Sequence, residues 1–264
     1  MAKTFYGISV IAVTGLIVAA APAEAKKCKG ETATVGAVCV DKYEASVWEI
    51  NPAETKLIKS VKKGKISSAG DLAGAAQRGA TTDDYGAGCP DTANGCTDFY
   101  AVSIPGVKPS TRITWFQAAA ACRNAGKRLS TNQEWQMAAL GTPDPGTDDD
   151  TNDCNVTFDD GLDPTDTGSR SLCVSDTGAV DMVGNVWEWV ADWGDLATGC
   201  NNWSGTYGSD LSCVGGDGSL NLPVALFRGG GFSDGADAGV FAVYGIIDPS
   251  FSLDGVGFRC AREP

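Results

Sequence analysis

The chain has 264 residues, 20 Lys and Arg against 33 Asp and Glu, a formal net charge of -13, ten cysteines and no histidine. That balance argues against nucleic acid and anionic membrane surfaces as partners, because phosphate recognition needs clustered cations. Without histidine there is no Ser-His or Cys-His catalytic pair, and without a CxxC spacing there is no thiol zinc centre.

At the amino terminus Lys3 precedes an apolar run from Ile8 to Ala20, and Ala23 and Ala25 form a small-residue cleavage pattern. Residues 1–25 therefore read as a removable secretory signal. The expected product is exported without membrane insertion, to a periplasm, a cell surface or the medium. In such an oxidising compartment the ten cysteines read as five disulfides whose pairing the sequence does not fix. Short separations favour local clips, Cys28 with Cys39, Cys89 with Cys96, Cys154 with Cys173 and Cys200 with Cys213, which leaves Cys122 and Cys260 for a long closure.

Residues 26–264 suffice for a single domain. The segment CVDKYEASVWEI reads as strand, and the lysine-rich KLIKSVKKGKI after it as an exposed hairpin or edge. From Ser67 to Pro109, rich in Gly, Ala, Asp and Thr, a loop is expected. Helices are expected over Trp115–Ala125, stopped by Gly126, and from Thr131 to Gly141, where Thr131 and Glu134 form a capping-box pattern. Trp135, Ala138 and Ala139 share one face of the second helix. Asp144 to Asp176 is acidic and turn-rich, and reads as a solvated loop.

The segment DMVGNVWEWVADW sets Trp187, Trp189 and Trp193 among acidic residues. Asp181, the carbonyls of Gly184 and Val186, and Glu188 could converge as oxygen ligands on calcium. The tail from Phe227 to Pro264 mixes strand-like VFAV and VGFRCA with positions that follow neither a strand nor a helix period. Those positions are Gly231, Ser233, Asp234, Asp237, Tyr244, Ile246, Ile247, Phe251, Leu253, Asp254 and Gly255.

Taken together, TWFQAAAACRNAGKRLSTNQEW, DMVGNVWEWVADW, FRGGGF and VGFRCAR resemble the formylglycine-generating enzyme, or sulfatase-modifying factor, family, similar in fold to the C-type lectins. The resemblance implies an α+β, C-type lectin-like domain over residues 26–264, low in regular secondary structure and stabilised by disulfides, with Cys122 paired to Cys260. It also implies structural calcium on Asp181, Gly184, Val186 and Glu188. The family's two copper-binding cysteines align with Asp234 and Gly239, neither of which forms a thiolate, so no copper and no enzymatic activity are expected.

A narrower resemblance, carried by SDGADAGVFAV, DPS and VGFRCAR, is to the variable proteins of diversity-generating retroelements. There, adenine-directed mutagenesis of AAC or AAT codons never yields Lys, Glu, Gln, Met or Trp, and the window Gly231–Gly255 contains none of these five. This implies a diversified ligand-binding region over about residues 227–260, formed by the eleven irregular positions. The expected partner is a protein on a cell or phage surface. Trp187, Trp189 and Trp203 read first as core, with the floor of that site as their other role. The alternative function is an oxidoreductase of the formylglycine-generating type acting on cysteine or thiol substrates.

Overall fold

The computed structural model describes residues 28–144, 146–157, 163–194, 197–199, 212–214, 224–245 and 247–264. The expected signal segment, Cys200, Trp203 and Ile246 lie outside the described residues, as does the side chain of Cys213.

The elements in chain order are β1 (Thr32–Val35), β2 (Val38–Asp41), β3 (Ala45–Glu49), α1 (Thr55–Lys62), β4 (Ala76–Arg78), β5 (Phe99–Ser103), α2 (Trp115–Asn124) and β6 (Arg128–Leu129). They continue with α3 (Asn132–Ala139), β7 (Trp187–Gly194), β8 (Ala197–Gly199), β9 (Ser212–Val214), β10 (Val224–Gly229), β11 (Gly239–Tyr244), β12 (Val256–Phe258) and β13 (Cys260–Arg262). One sheet runs β1-β2-β13-β6, so the last strand lies between elements from the first half of the chain. A second runs β11-β10-β7-β12 and a third β4-β3-β5, while β8 and β9 form a ribbon. Among these pairings only β12 with β7 is parallel.

Local chemistry accounts for the helices. In α2, Thr114 Oγ1 accepts from the Gln117 N–H at 3.2 Å and Gln117 Oε1 accepts from the Thr114 N–H at 2.9 Å. Thr131 and Glu134 do the same for α3, at 3.2 and 2.9 Å. Each reciprocal pair satisfies backbone donors that a helix start leaves open. Ala118, Ala121 and Cys122 are buried on α2 and pack in one cluster with Phe99, Ala101, Trp189 and Phe258. Small side chains there let the helix approach the sheets closely.

Two expectations fail. The lysine-rich stretch is α1, not a hairpin or edge: Leu57, Ile58 and Val61 form a helical stripe against Trp48, Ile50 and Leu72, and the lysines stay outside. The Ser67–Pro109 stretch is not all loop either, since it holds β4 and β5. Every residue of β5 is buried, so the alternation that marks a half-exposed strand is absent.

Disulfides join Cys28–Cys39, Cys89–Cys96, Cys122–Cys260 and Cys154–Cys173. Among the described residues, no helix is long and apolar enough to cross a membrane.

Candidate functional site

Strand β10 leaves its sheet through Gly229 (φ +95°) and Gly230 (φ +86°), backbone conformations that side chains rarely adopt. A methyl on Gly230 would lie 2.3 Å from Ala238 Cβ and 2.4 Å from Ala238 Cα. Glycine therefore lets the 231–238 loop fold back before β11 begins. Gly230→Ala should cost about 3 kcal/mol, from strain and clash together, measurable by urea unfolding.

The backbone of the returning segment is pinned. The Trp115 N–H donates to the Pro249 carbonyl at 3.0 Å, Arg112 N–H to Leu253 at 2.8 Å, and Trp187 N–H to Gly255 at 2.8 Å. Side chains between these anchors are released toward solvent.

A cleft of about 340 Å³ opens between the two segments. Gly231, Ser233, Asp234, Asp237, Tyr244, Ile247, Leu253, Asp254 and Gly255 line it, together with Trp187, Phe227, Phe232 and Val256. Of the eleven irregular positions, Ile246 lies outside the described residues and Phe251 stands apart from the lining, 47% exposed. Trp187, Phe227 and Tyr244 form an aromatic wall, with ring centroids 5.2 Å apart for Trp187 and Phe227, 5.9 Å for Trp187 and Tyr244, and 5.1 Å for Phe227 and Tyr244.

The role of Trp187 as wall was left open by the sequence. Trp187 and Trp189 stand two apart on one strand, and only packing separates the half-buried ring at the cleft from its buried neighbour. Phe227, Phe232 and Val256 were not singled out, because each reads as ordinary core.

Asp234, one of the two aligned copper positions, accepts from the Gly231 N–H at 2.8 Å. Burial pushes its carboxyl above the usual range; the Gly231 N–H and the Trp187 indole pull against that, and the charge of Asp237 adds to the rise. Burial, and then the Asp234 charge, raise the Tyr244 phenol. Gly239, the other aligned position, is buried in β11 opposite Gly229. Asp254 reaches Arg112 at 3.7 Å. A larger cavity, about 520 Å³ and bordered by Lys62, Lys63, Lys127 and Arg262, shares no residue with this cleft.

Of the four positions expected to hold calcium, Asp181, Gly184 and Val186 lie in a buried irregular segment and Glu188 in β7. Asp181 (φ +57°), Gly184 (+74°) and Asn185 (+58°) all have left-handed backbones. Asp181 Oδ2 accepts from the Gly168 N–H at 2.7 Å. Glu188 is engaged on both oxygens, by Arg259 at 2.6 and 2.7 Å and by the Trp135 indole at 2.8 Å. Burial, with Arg259 and the Gly168 N–H opposing and Glu188 reinforcing it, holds the Asp181 carboxyl up at about 6. Burial, then Asp181 and Glu188, puts Glu44 well above its ordinary value.

Three carboxylates, Glu44, Asp181 and Glu188, thus share one arginine, and burial holds Glu44 and Asp181 toward their neutral forms. No group of three or more acidic or cysteine side chains forms a metal cluster among the described residues. Ligation would therefore fall on Asp181 and the Gly184 and Val186 carbonyls, with Glu188 already committed to Arg259.

These features define an α+β, disulfide-stabilised domain of C-type lectin-like fold with an open cleft at its carboxy-terminal loops. Residues 73–264 match the model of the sulfatase-modifying factor enzyme 1-like domain, and the chain belongs to that family. A formylglycine-generating enzyme of Thermomonospora curvata is 28% identical over 179 residues, covering 59% of this chain and 56% of the relative. One of Streptomyces coelicolor is 29% identical over 175 residues, covering 59% and 52%. The chain spans about half the length of these curated relatives. The solved Major Tropism Determinant I1 variant is 19% identical, with a TM-score of 0.50, over 91% of this chain and 54% of that one, a likeness of fold alone. The expectation of no enzymatic activity is corrected here, since both curated relatives are named as enzymes.

Proposed function

We propose that the cleft is a ligand-binding face on a rigid frame, its side chains diversified by a retroelement, and that the chain is exported to bind a protein on a cell or phage surface. The observation that carries this reading is the arrangement of the irregular positions. Nine of them, scattered over residues 231–255, line one concave surface, while backbone bonds hold Leu253 to Arg112, Gly255 to Trp187, and the 231–238 loop to Asn185 and Val156. A rigid backbone lowers the ordering cost of binding and tolerates exchange of its outward side chains. Disulfides and the signal-like leader support an oxidising destination.

The experiment is to sequence this locus in sibling isolates. Changes confined to the cleft positions, with a reverse transcriptase and a near-copy of the terminal coding segment nearby, are expected. Changes scattered along the chain would refute diversification.

We also infer a structural calcium at Asp181, Gly184 and Val186. Chelation should lower stability by about 2–3 kcal/mol relative to a calcium concentration near one hundred times the dissociation constant, and calcium should restore it. Thermal unfolding with EDTA and with added calcium checks this.

The curated relatives favour a second reading, turnover of a cysteine or thiol substrate at the same cleft. Oxygen uptake on a cysteine peptide, with stoichiometric copper in the purified protein, would support it.

A further inference from the structure

The lining of the cleft is lopsided in charge. Asp234, Asp237 and Asp254 contribute carboxylates, and no Lys or Arg is among the lining residues. Arg112 approaches from outside, reaching Asp254 at 3.7 Å and donating to Thr111 Oγ1. The acidic groups share the cleft with Trp187 and Tyr244, Asp234 accepting from the Trp187 indole N–H, and these features meet beside Gly231. A methyl carbon on Gly231 would lie 3.3 Å from Trp187 Cδ1, 3.5 Å from Asp234 Oδ2 and 3.7 Å from the Gly255 carbonyl oxygen. Gly231, with no side chain, keeps the cleft open in front of it, a niche flanked by an indole, a carboxylate oxygen and a carbonyl oxygen.

Resting on the reading of this cleft as a ligand-binding face, we propose that the niche takes a cationic side chain, a guanidinium or an ammonium, presented by the protein ligand. An arginine fits its chemistry on every side. Its plane can stack on an aromatic ring of the wall, and its N–H fork meets carboxylate and carbonyl acceptors in the same cleft. An anionic group would meet Asp234 and Asp237, and a purely apolar one would strip water from Asp234 without replacing its hydrogen bonds. The net charge of -13 also draws cationic partners toward the protein. Tyr244, Ile247 and Leu253 around the niche would hold the apolar residues flanking that cation.

The test uses the intact oxidised chain labelled at its tryptophan indoles, with the Trp187 resonance assigned by comparison with Trp187→Phe. The probes are N-acetyl-arginine amide, its neutral isostere N-acetyl-citrulline amide, N-acetyl-leucine amide and N-acetyl-glutamate amide. The arginine probe is expected to shift the Trp187 indole signal saturably and to bind about tenfold more tightly than citrulline, the scale of one cation–aromatic contact reinforced by charge. Asp234→Asn should abolish that preference while the other tryptophan signals stay in place. Gly231→Ala, at a position without a positive φ, should fill the niche and weaken the arginine probe in the folded protein.

Equal binding of citrulline and arginine, or tighter binding of leucine or glutamate, would overturn the cationic assignment and leave the ligand-binding face standing. Failure of every probe to move Trp187 would overturn both.

Discussion

Replacing Arg259 with methionine is expected to cost about 4 kcal/mol of stability, the loss typical of removing one partner from a buried ion pair. Arg259 is 0% exposed, and all five of its N–H donors are used. Two go to Glu188, at 2.7 Å from Nε and 2.6 Å from Nη2. The others reach the carbonyls of Asp41 and Lys42 at 3.0 Å each and of Val180 at 2.9 Å. One side chain thus ties the carboxy-terminal strands to β2, to β7 and to the Asp181 turn. Methionine fills similar space but leaves Glu188 charged, buried and beside Glu44 and Asp181. Urea unfolding followed by tryptophan fluorescence measures the loss. The double variant Glu188→Gln/Arg259→Met should recover part of it, since it removes the stranded charge. A single variant within about 0.5 kcal/mol of the parent would show that the pair carries none of the stability assigned to it.

Opening the Cys122–Cys260 bridge by replacing both cysteines with alanine should cost about 5 kcal/mol. The bridge spans 138 residues, and the chain entropy released in the unfolded state grows with the logarithm of that span. Removing Cys89–Cys96, which spans 7 residues, should cost about 2 kcal/mol by the same relation. The comparison is informative because both bridges are buried in one core cluster, so packing losses are similar and loop length is the main difference. Equal losses from the two pairs would show that strain or packing, not chain entropy, sets their contributions.

How much was legible in the sequence depended on whether the signal was local. The end of α2 and the start of α3 follow from short-range chemistry: Gly126 in a left-handed stop at φ +74°, and Thr131 with Glu134 three residues on. The α1 stretch was misread because its lysines dominate the composition, while its three apolar residues make sense only once the cluster around Trp48 and Leu72 exists to receive them. Strand β5 was missed because it is buried on every side, which erases alternation.

The irregular tail positions were legible for the opposite reason. Neither period fits them, since the described ones, apart from Tyr244 at the end of β11, lie between strands, with Leu253 and Gly255 held by the distant Arg112 and Trp187. What spacing could not supply was the wall behind them. Trp187 and Trp189 are equivalent by period, yet Trp189 is buried with its indole N–H donating to the Ile113 carbonyl, while Trp187 is half-buried at the cleft. Nor could spacing pair Glu188 with Arg259, 71 residues apart, although that contact fixes the strand on which Trp187 stands.

The claim that a fixed frame carries an exchangeable face is tested most directly by substituting the face and measuring the frame. Ser233, Asp234, Asp237, Tyr244, Ile247, Leu253 and Asp254 would each be changed to several other residues, with Gly230→Ala as the internal reference, and every variant unfolded in urea. Losses of about 1 kcal/mol or less are expected at the seven face positions, although five of them are half-buried, against about 3 kcal/mol for the reference. Losses at the face as large as those at Gly230 would mean that these side chains hold the domain together, and the claim would fall.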